Sequence, residues 1–570
     1  MIYSGSGVSP GLAMGKAFVY IPFIPVITAD KIQKEHAPAE LLHYHNVRDQ
    51  ATTELECIVR RLGQSYNAKI FTAQTDILLD CVLEEEITRL IEEDLYNAAY
   101  AIYSAFEKYA CLLENVNDTV ISQRALDIRD VKNRLLRILY GVKEIDITNI
   151  QTPIIIVAHN LTPSDTASFD RNNVLAIVSE TGGETSHVAI LAKSWEIPAI
   201  LGVEGITNAL TDDDYIIVDA SNGTVYTHPS DKQIKSFTLK RDSFQKELEI
   251  LNRYRSEKTI TPDGIEIEIH LNIGSDSEHQ LENAQFADGV GLFRTEFLFL
   301  EGNRAPSEDE QFESYRKVLA RFGQKPVILR TLDFGGDKEV NWLNLPKEEN
   351  PFLGNRALRL CFTRPDMFKT QLRAALRASV YGNLWIMFPM VSAIDDIRRA
   401  KSFVCDVKKE LQSENIPINN SIKTGIMIET PSIALMSDAA AEEVDFASLG
   451  TNDLCQYLMA ADRGNPSVHE WYQHYNPAVF RLIGYVTEEF TKRGNPISIC
   501  GEMGSDTRAA AVLIGLGMRK LSVGAASIAR IKRLITQLPY YRAKELALII
   551  TGMSTDNEVR EFLDVELKEF

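Results

Sequence analysis

Eight segments in the second half of the chain share one pattern, in which an apolar run of strand length ends in polar residues and is followed by a helix-length interval. Eight alternating strand and helix units in about 300 residues predict a closed (β/α)₈ barrel, whose usual size is ~250 residues or more. In such barrels the loops at the carboxyl ends of the strands carry the chemistry. The predicted strands are Glu266 to Gly274, Gly289 to Phe297, Pro326 to Asp333, Leu384 to Val391, Thr424 to Thr430, Phe446 to Asn452, Ile497 to Glu502 and Lys520 to Gly524.

The predicted strand ends and the loops after them carry cations, carboxylates, an amide and a thiol. Arginine forks and oxygen ligands are suited to a small polyanion held with a hard divalent metal. Glu429 and Asp453 are the candidate ligands of Mg²⁺, which usually takes one or two protein carboxylates, and Asn452 would orient the substrate. The alternative is that the arginines neutralise the barrel's own acids. The residues are Arg294, Glu296, Arg330, Asp333, Lys338, Arg356, Glu429, Asn452, Asp453, Arg463, Cys500 and Glu502.

Cys500 lies at the predicted end of the seventh barrel strand. A thiol there is placed to give a proton to a carbon beside the bound anion. Taken by itself, a buried and inert cysteine is the alternative interpretation.

A glycine-rich segment in the first half, Thr181 to Ala192, presents His187 near a predicted helix start. Its glycines allow close backbone approach, and Thr185 or Ser186 can cap the first turn. Free amides and the helix dipole favour an anion beside the imidazole, and a neutral imidazole is nucleophilic. This pattern suits a phosphohistidine, but a capped loop with an incidental histidine would give the same twelve residues.

The organisation of the chain predicts an α/β multidomain protein. Short apolar runs predict an α/β domain formed by residues 1–24 and 146–229, interrupted by an inserted helical bundle over residues 25–145. Four helices are predicted in the bundle, of which Ile121 to Leu139 is the clearest. The bundle is either structural support or a docking platform for a protein acceptor. A charged helical linker over residues 230–260 leads to the barrel, residues 261–570.

Charge and cysteine content exclude several classes of protein. The net charge of −19 argues against non-specific nucleic-acid binding. The seven cysteines form no CxxC pair, and neither a targeting segment nor a membrane span is evident, so we expect a cytoplasmic protein with reduced thiols.

Seven motifs along the chain resemble those of enzyme I of the phosphoenolpyruvate-dependent sugar phosphotransferase system, and the resemblance covers essentially the whole chain. It implies a phosphohistidine swivelling α/β domain, an inserted helical subdomain that binds the phosphocarrier HPr, a linker, and a phosphoenolpyruvate-binding barrel that forms a homodimer. The motifs are GGETSHVAILAKSWEIPAILG, GVGLFRTEFLFL, ILRTLDFGGDK, NPFLGNRALR, GIMIETPS, LGTNDLCQY followed by ADRGN, and ICGEMGSD.

The resemblance also implies roles for individual residues. His187 would take the phosphoryl group from phosphoenolpyruvate on Nε2, with release of pyruvate, and pass it to HPr. Cys500 would be the proton donor, and Glu429 and Asp453 would hold Mg²⁺. The residues that would bind phosphoenolpyruvate or line its site are Arg294, Arg330, Lys338, Arg356, Asn452, Asp453 and Arg463.

The sequence departs from the family pattern at Glu184 and Lys193, where arginine is usual, and more mildly at Asn355 and Cys455. A carboxylate three residues before His187 should repel the phosphoryl group, so we expect Glu184 to slow phosphorylation or to select an acceptor with a basic residue. The rate of transfer to HPr by a Glu184→Arg variant tests this expectation.

Three other functions compete with enzyme I. One is a paralogue of a nitrogen-regulatory branch, which often carries an extra N-terminal sensory domain, and none precedes Met1. Pyruvate phosphate dikinase or phosphoenolpyruvate synthase would need an ATP-binding domain, for which no Gly-rich phosphate loop is present. A weakly active or non-catalytic regulator that binds HPr is disfavoured by the intact set of barrel residues, although Glu184 is consistent with it.

Overall fold

The computed structural model describes two compact units, Met1–Gln245 and Lys246–Phe570. Among the residues that the structure describes, no helix is long and apolar enough to cross a membrane. The described residues are 1–20, 25–62, 66–114, 119–142, 152–161, 173–182, 188–189, 192, 197–300, 304–335, 341–343, 345–346 and 348–568.

The first unit contains an eight-stranded sheet of order β1-β8-β7-β3-β4-β5-β6-β2. Strands β3 to β6 are parallel to one another, and the remaining pairs are antiparallel. The short strands β1 and β2 were not predicted, because they are rich in serine and glycine and carry no apolar run. The strands are β1 (Ile2–Ser4), β2 (Ser6–Ser9), β3 (Leu12–Tyr20), β4 (Ile154–Ala158), β5 (Val174–Ser179), β6 (Ala199–Leu201), β7 (Tyr215–Asp219) and β8 (Thr224–Thr227).

A helical bundle lies in the chain between β3 and β4, which pair directly in the register Lys16 to Ile154. The described residues form five α-helices here, where four were predicted. The boundary between the second and third helices carries no glycine or proline, and is set by the side chain of Asp80, which accepts from the backbone N–H groups of Val82 and Leu83. The helices are Ala37–Leu62, Tyr66–Leu78, Cys81–Glu92, Ala98–Glu114 and Thr119–Leu139.

The last helix of the bundle is fixed to the first one. Arg134 Nη1 donates to Glu54 Oε2 at 3.1 Å, and Arg137 Nη2 donates to the same oxygen at 2.5 Å. Ala125, Leu135 and other apolar side chains of the last helix are buried in the bundle core. The Tyr140 hydroxyl also donates to the carbonyl oxygen of Val26 at 3.4 Å, so the two ends of the inserted segment lie close together.

The helix Asp231–Tyr254 runs from the first unit into the second. Its carboxyl end is held by the barrel unit, because Lys532 Nζ donates at 3.0 Å to the carbonyl oxygens of Arg255 and Glu257. The Arg255 guanidinium carbon lies 4.7 Å from the ring centroid of Phe286.

The second unit is a closed barrel of eight parallel strands in the order β9 to β16, with β16 paired to β9. This confirms the (β/α)₈ prediction. The strands are β9 (Glu268–Ile273), β10 (Gly289–Arg294), β11 (Pro326–Arg330), β12 (Asn383–Phe388), β13 (Lys423–Ile428), β14 (Phe446–Leu449), β15 (Ile497–Ile499) and β16 (Lys520–Val523).

All eight predicted strands extend past the observed carboxyl ends, five of them by three residues. Strand β14 ends at Leu449, so Asn452 lies in the helix Thr451–Met459, and β15 ends at Ile499, so Glu502 begins a 3₁₀ turn. Gly450 directly follows β14, whereas Cys500 and then Gly501 follow β15, and the prediction wrongly counted the residues beyond these ends as strand.

Apolar side chains fill the barrel and separate it from the surrounding helices. Leu292, Ile328, Trp385, Met387, Met427, Phe446 and Cys500 form one buried cluster, distinct from the larger core shared with the helices. The α-helices of the second unit after the linker are Glu278–Leu281, Phe297–Leu300, Glu308–Phe322, Ala357–Thr363, Pro365–Ala378, Ile394–Ser413, Pro431–Leu435, Ser437–Glu443, Thr451–Met459, Pro477–Lys492, Thr507–Gly515, Ile528–Gln537, Tyr540–Gly552 and Asp556–Glu566.

Candidate active site

A cavity of about 460 Å³ opens at the carboxyl ends of the barrel strands. Arg294 and Arg330, the last residues of β10 and β11, are register partners, and Glu429 directly follows β13. The parallel strands therefore bring residues that are far apart in the sequence to one rim. The predicted site residues that line the cavity are Arg294, Arg330, Asp333, Arg356, Glu429, Asn452, Asp453, Arg463, Cys500 and Glu502.

Arg330 and Arg356 belong to a buried network of ion pairs. Arg330 Nη2 lies 2.8 Å from Glu296 Oε1, and Arg330 Nη1 lies 3.0 Å from Asp333 Oδ2. The other oxygen of Asp333 lies 2.8 Å from Arg356 Nη2, so this one carboxylate bridges two arginines. All four side chains are at most 7% exposed.

The network fixes the charge of both arginines. Burial alone would lower the pKa of Arg330, but Glu296 and Asp333 raise it above its ordinary value. The pKa of Arg356 is also raised, by Asp333 and Asp453 against the effect of burial. Part of the alternative interpretation is therefore correct, because these arginines do neutralise acids of the barrel while they line the cavity.

The remaining two arginines are more accessible. Arg294 is exposed, and the side chain of Arg463 is 29% exposed. Arg463 Nη2 lies 3.5 Å from Asp453 Oδ1, and its backbone N–H donates to Gln456 Oε1 at 3.1 Å. The cavity therefore has two buried arginines held by ion pairs, Arg330 and Arg356, and two more accessible ones, Arg294 and Arg463. This arrangement suits the binding of an anionic molecule that enters from solvent.

Glu429 and Asp453 have the properties of oxygen ligands for a divalent cation. Glu429 is buried, and burial together with the nearby Asp453 and Asp333 raises its pKa to about 8. Asp453 Oδ1 is buried and accepts no hydrogen bond from the described residues. A cation at this position would offset the repulsion between the carboxylates, so the pair fits Mg²⁺. In the described part of the chain no three His, Cys, Asp or Glu side chains form a metal-binding cluster.

Two features of the backbone shape the acidic side of the cavity. Met390 adopts φ = 53°, in the left-handed region, and its N–H donates to Glu429 Oε1 at 2.6 Å. A Cβ atom on Gly450 would lie 2.8 Å from Glu429 Oε2, so a larger residue there would displace the carboxylate.

Cys500 is buried, and its Sγ lies 3.5 Å from the carbonyl oxygen of Leu449. Burial raises the pKa of the thiol to about 11, although Ser448 and Arg330 act in the opposite direction. At neutral pH the group is therefore a protonated thiol that can donate a proton into the cavity.

The chain matches family models and relatives along most of its length. Three models of phosphoenolpyruvate-utilising enzymes match: the N-terminal domain over residues 4–124, the mobile domain over residues 150–223 and the phosphoenolpyruvate-binding domain over residues 249–540. The phosphoenolpyruvate-protein phosphotransferase of Listeria monocytogenes is 38% identical over 564 residues, which are 98% of each chain. The proteins of that name from Priestia megaterium and Staphylococcus aureus are each 40% identical, over 98% and 100% of both chains respectively. The chain belongs to the phosphoenolpyruvate-protein phosphotransferase family.

Two of the residues to which the family resemblance gives roles, His187 and Lys338, lie outside the described residues, as do Glu184 and Lys193. The described residues just before the His187 segment are well fixed. Glu180 Oε1 accepts from the backbone N–H of Thr207 at 2.9 Å, and His159 Nδ1 lies 2.6 Å from Glu180 Oε2.

Sequence reasoning misplaced one residue of the site and missed two others. Glu296 was expected at the cavity, but it is buried after β10 and pairs with Arg330 without lining the cavity. His469 and Tyr472 line the cavity and were not predicted at all. They follow β14 by about twenty residues, and no strand-end pattern marks that loop. The only signal in the sequence is its aromatic content, in the segment Trp471-Tyr472-Gln473-His474-Tyr475.

Proposed function

We propose that this chain is a phosphoenolpyruvate-protein phosphotransferase, which transfers the phosphoryl group of phosphoenolpyruvate to His187, releases pyruvate and then passes the phosphoryl group to a histidine of the phosphocarrier HPr. This transfer begins the sugar phosphotransferase cascade. The observation that carries the proposal is the convergence of four arginines, the carboxylate pair Glu429 and Asp453, and a protonated thiol on one cavity, in a chain with full-length similarity to that family.

The charge of the substrate explains the need for several cations. Phosphoenolpyruvate carries a phosphate and a carboxylate, so negative oxygens shield the phosphorus from a nucleophile. Arg294, Arg330, Arg356 and Arg463 would offset that charge, and the family resemblance adds Lys338. Asn452 would orient the substrate through its amide, whose Oδ1 accepts from the backbone N–H of Glu502 at 3.0 Å.

Glu429 and Asp453 would hold Mg²⁺, which when bound would neutralise phosphate charge and stabilise the transition state of phosphoryl transfer. The chain's own part in that step is to present two carboxylates from neighbouring strand ends. Arg330 and Arg356 balance those carboxylates on the protein side.

Cys500 would complete the reaction at carbon. When the P–O bond to the enol oxygen breaks and a P–N bond to His187 forms, the remaining enolate takes the proton of the thiol at its methylene carbon and becomes pyruvate. The resulting thiolate recovers a proton from solvent. A thiol with a pKa of about 11 remains protonated until this step.

His187 must reach both the barrel cavity and the second protein. The match of residues 150–223 to the mobile domain of phosphoenolpyruvate-utilising enzymes supports a swivelling α/β domain, formed by residues 1–24 and 146–229. The inserted bundle, residues 25–145, would bind HPr, and residues 230–260 would be the linker that allows the movement. The barrel, residues 261–570, would form a homodimer, and the protein would act in the cytoplasm.

Labelling without an acceptor tests the proposal. The full-length protein is incubated with Mg²⁺ and phosphoenolpyruvate carrying a labelled phosphoryl group, and acid-labile label on the protein is measured. We expect the wild type and His36→Ala, which replaces an exposed histidine, to be labelled and His187→Ala to remain unlabelled. An unlabelled wild type, or label retained by His187→Ala, would contradict the proposal.

A further inference from the structure

A buried tyrosine that lies outside the cavity joins three segments of the barrel unit. Tyr475 has no exposed surface. Its hydroxyl donates to Asp506 Oδ2, and its backbone N–H donates to Asp556 Oδ1 at 2.9 Å. The guanidinium carbons of Arg508 and Arg560 lie 5.1 and 4.4 Å from the centroid of its ring.

The partners of Tyr475 are themselves fixed. Asp506 caps the helix Thr507–Gly515, and its other oxygen accepts from the backbone N–H of Arg508 at 2.9 Å. Asp556 begins the C-terminal helix Asp556–Glu566 and forms an ion pair with Arg560. Arg508 Nη1 in turn lies 2.7 Å from Asp564 Oδ1 of the same helix. The C-terminal helix therefore supports Tyr475 from two positions.

The segments that Tyr475 joins are two walls of the cavity, and both contact Asn452. On one wall, Tyr472 lines the cavity and donates from its hydroxyl to the carbonyl oxygen of Asn452 at 3.3 Å. On the other wall, which also carries Cys500, the backbone N–H of Glu502 donates to Asn452 Oδ1 at 3.0 Å. The hydrogen bond from the Tyr475 hydroxyl to Asp506 joins the same two walls at a second place, outside the cavity.

We propose that Tyr475 is a positioning residue, which sets the spacing between the Asn452 amide and the Cys500 thiol by tying the loop of residues 472–476 to the segment of residues 500–506. This inference rests on the proposed function, because the spacing matters only if the thiol protonates a substrate that Asn452 orients. Arg330 and Arg356 are held by Glu296 and Asp333, and so their positions do not depend on the hydrogen bond between Tyr475 and Asp506.

Tyr475→Phe removes the hydroxyl and keeps the buried ring. Because the arginines stay in place, we expect the KM for phosphoenolpyruvate to change less than about twofold, while kcat for pyruvate release falls by about tenfold. Protonation at carbon would then limit the rate, so the solvent deuterium isotope effect on kcat should rise. A variant that is merely less folded would lower the apparent kcat without changing that isotope effect.

Two further variants define the test, which measures steady-state pyruvate release by the full-length protein, with HPr as the phosphoryl acceptor, in H₂O and in D₂O. Tyr485→Phe is the matched control, since it removes a partly exposed hydroxyl that donates to the carbonyl oxygen of Leu435. Asp506→Asn retains a helix-capping side chain but weakens the bond to Tyr475. We expect Asp506→Asn to reproduce the Tyr475→Phe effect and the double variant to be no slower than either single variant.

The outcomes separate this inference from the function on which it rests. If the wild type releases no pyruvate, the proposed function is wrong and the inference falls with it. If the wild type is active and Tyr475→Phe matches Tyr485→Phe in kcat and in isotope effect, only the inference is wrong. Additive effects of Tyr475→Phe and Asp506→Asn would also overturn it.

Discussion

Glu296→Gln is expected to destabilise the barrel, because it removes one charge from a buried ion pair and preserves the size of the side chain. Glu296 and Arg330 are 4% and 7% exposed, and the nitrogen-to-oxygen distance is 2.8 Å. Removing one member of a buried ion pair typically costs about 3–5 kcal/mol of stability. Asp333 remains 3.0 Å from Arg330, and glutamine keeps an acceptor oxygen, so we expect a loss of about 1–3 kcal/mol.

The assay is urea unfolding followed by tryptophan fluorescence. Three of the four tryptophans, Trp342, Trp385 and Trp471, lie in the barrel unit, and Trp385 is buried inside it, so most of the signal reports on the barrel. Glu313→Gln is the matched control, because it removes an acid that pairs with Arg316 at 2.7 Å while both side chains are largely exposed. Exposed pairs of this kind contribute about 0.2–1 kcal/mol.

Equal losses in the two variants, or a gain of stability in Glu296→Gln, would refute this account of the buried network. A second measurement connects the network to function. Since Arg330 would lose one of its two anchors, we expect the KM for phosphoenolpyruvate to rise by about tenfold in Glu296→Gln and to stay unchanged in Glu313→Gln.

Two further predictions concern single groups. Cys500→Ala should lower pyruvate release by about 100-fold or more, measured by coupled reduction of pyruvate, because a general acid typically contributes ~10²–10⁴; an unchanged rate would show that the proton comes from elsewhere. Glu268 is hydrogen-bonded by His270 at 2.9 Å and by Lys520 at 2.6 Å, which lowers its pKa to about 2. The contribution of Glu268 to stability is therefore complete above its ordinary pKa near 4.5 and is lost as the pH falls toward 2. We expect Glu268→Gln to be about 1 kcal/mol less stable than the wild type at neutral pH, because the group is half-exposed. This difference in stability should shrink below pH 4.5.

Hydrophobic pattern predicted the barrel well, because each strand is buried on both faces and reads as an apolar run. The carboxyl end of each run then located Arg294, Arg330 and Glu429, and the structure brings all three to one cavity. The hydrophobic pattern placed Asn452 and Glu502 in strands, because it does not reveal that strand pairing ends at Leu449 and Ile499.

The contacts that tune the site could not be predicted from pattern. The bridging of Arg330 and Arg356 by Asp333 depends on how two loops fold back over the barrel, and each residue alone could equally have paired elsewhere. Tyr472 reaches the cavity from a loop that carries no strand-end signal. The left-handed backbone of Met390 is imposed by its surroundings and is not encoded by a glycine.

The pairing of β3 with β4 has a consequence for the order in which the chain can form during synthesis. Strand β3 pairs with β4 in the register Lys16 to Ile154, so the middle of the sheet cannot assemble until the whole helical insertion has left the ribosome. The insertion contains mainly local helix contacts, which form quickly, and the bond from Tyr140 to the carbonyl oxygen of Val26 joins its two ends. A bundle that has already folded holds β3 and β4 closer together than an unfolded insertion would, which lowers the entropic cost of pairing them. The bundle therefore acts as an internal scaffold for the sheet that it interrupts.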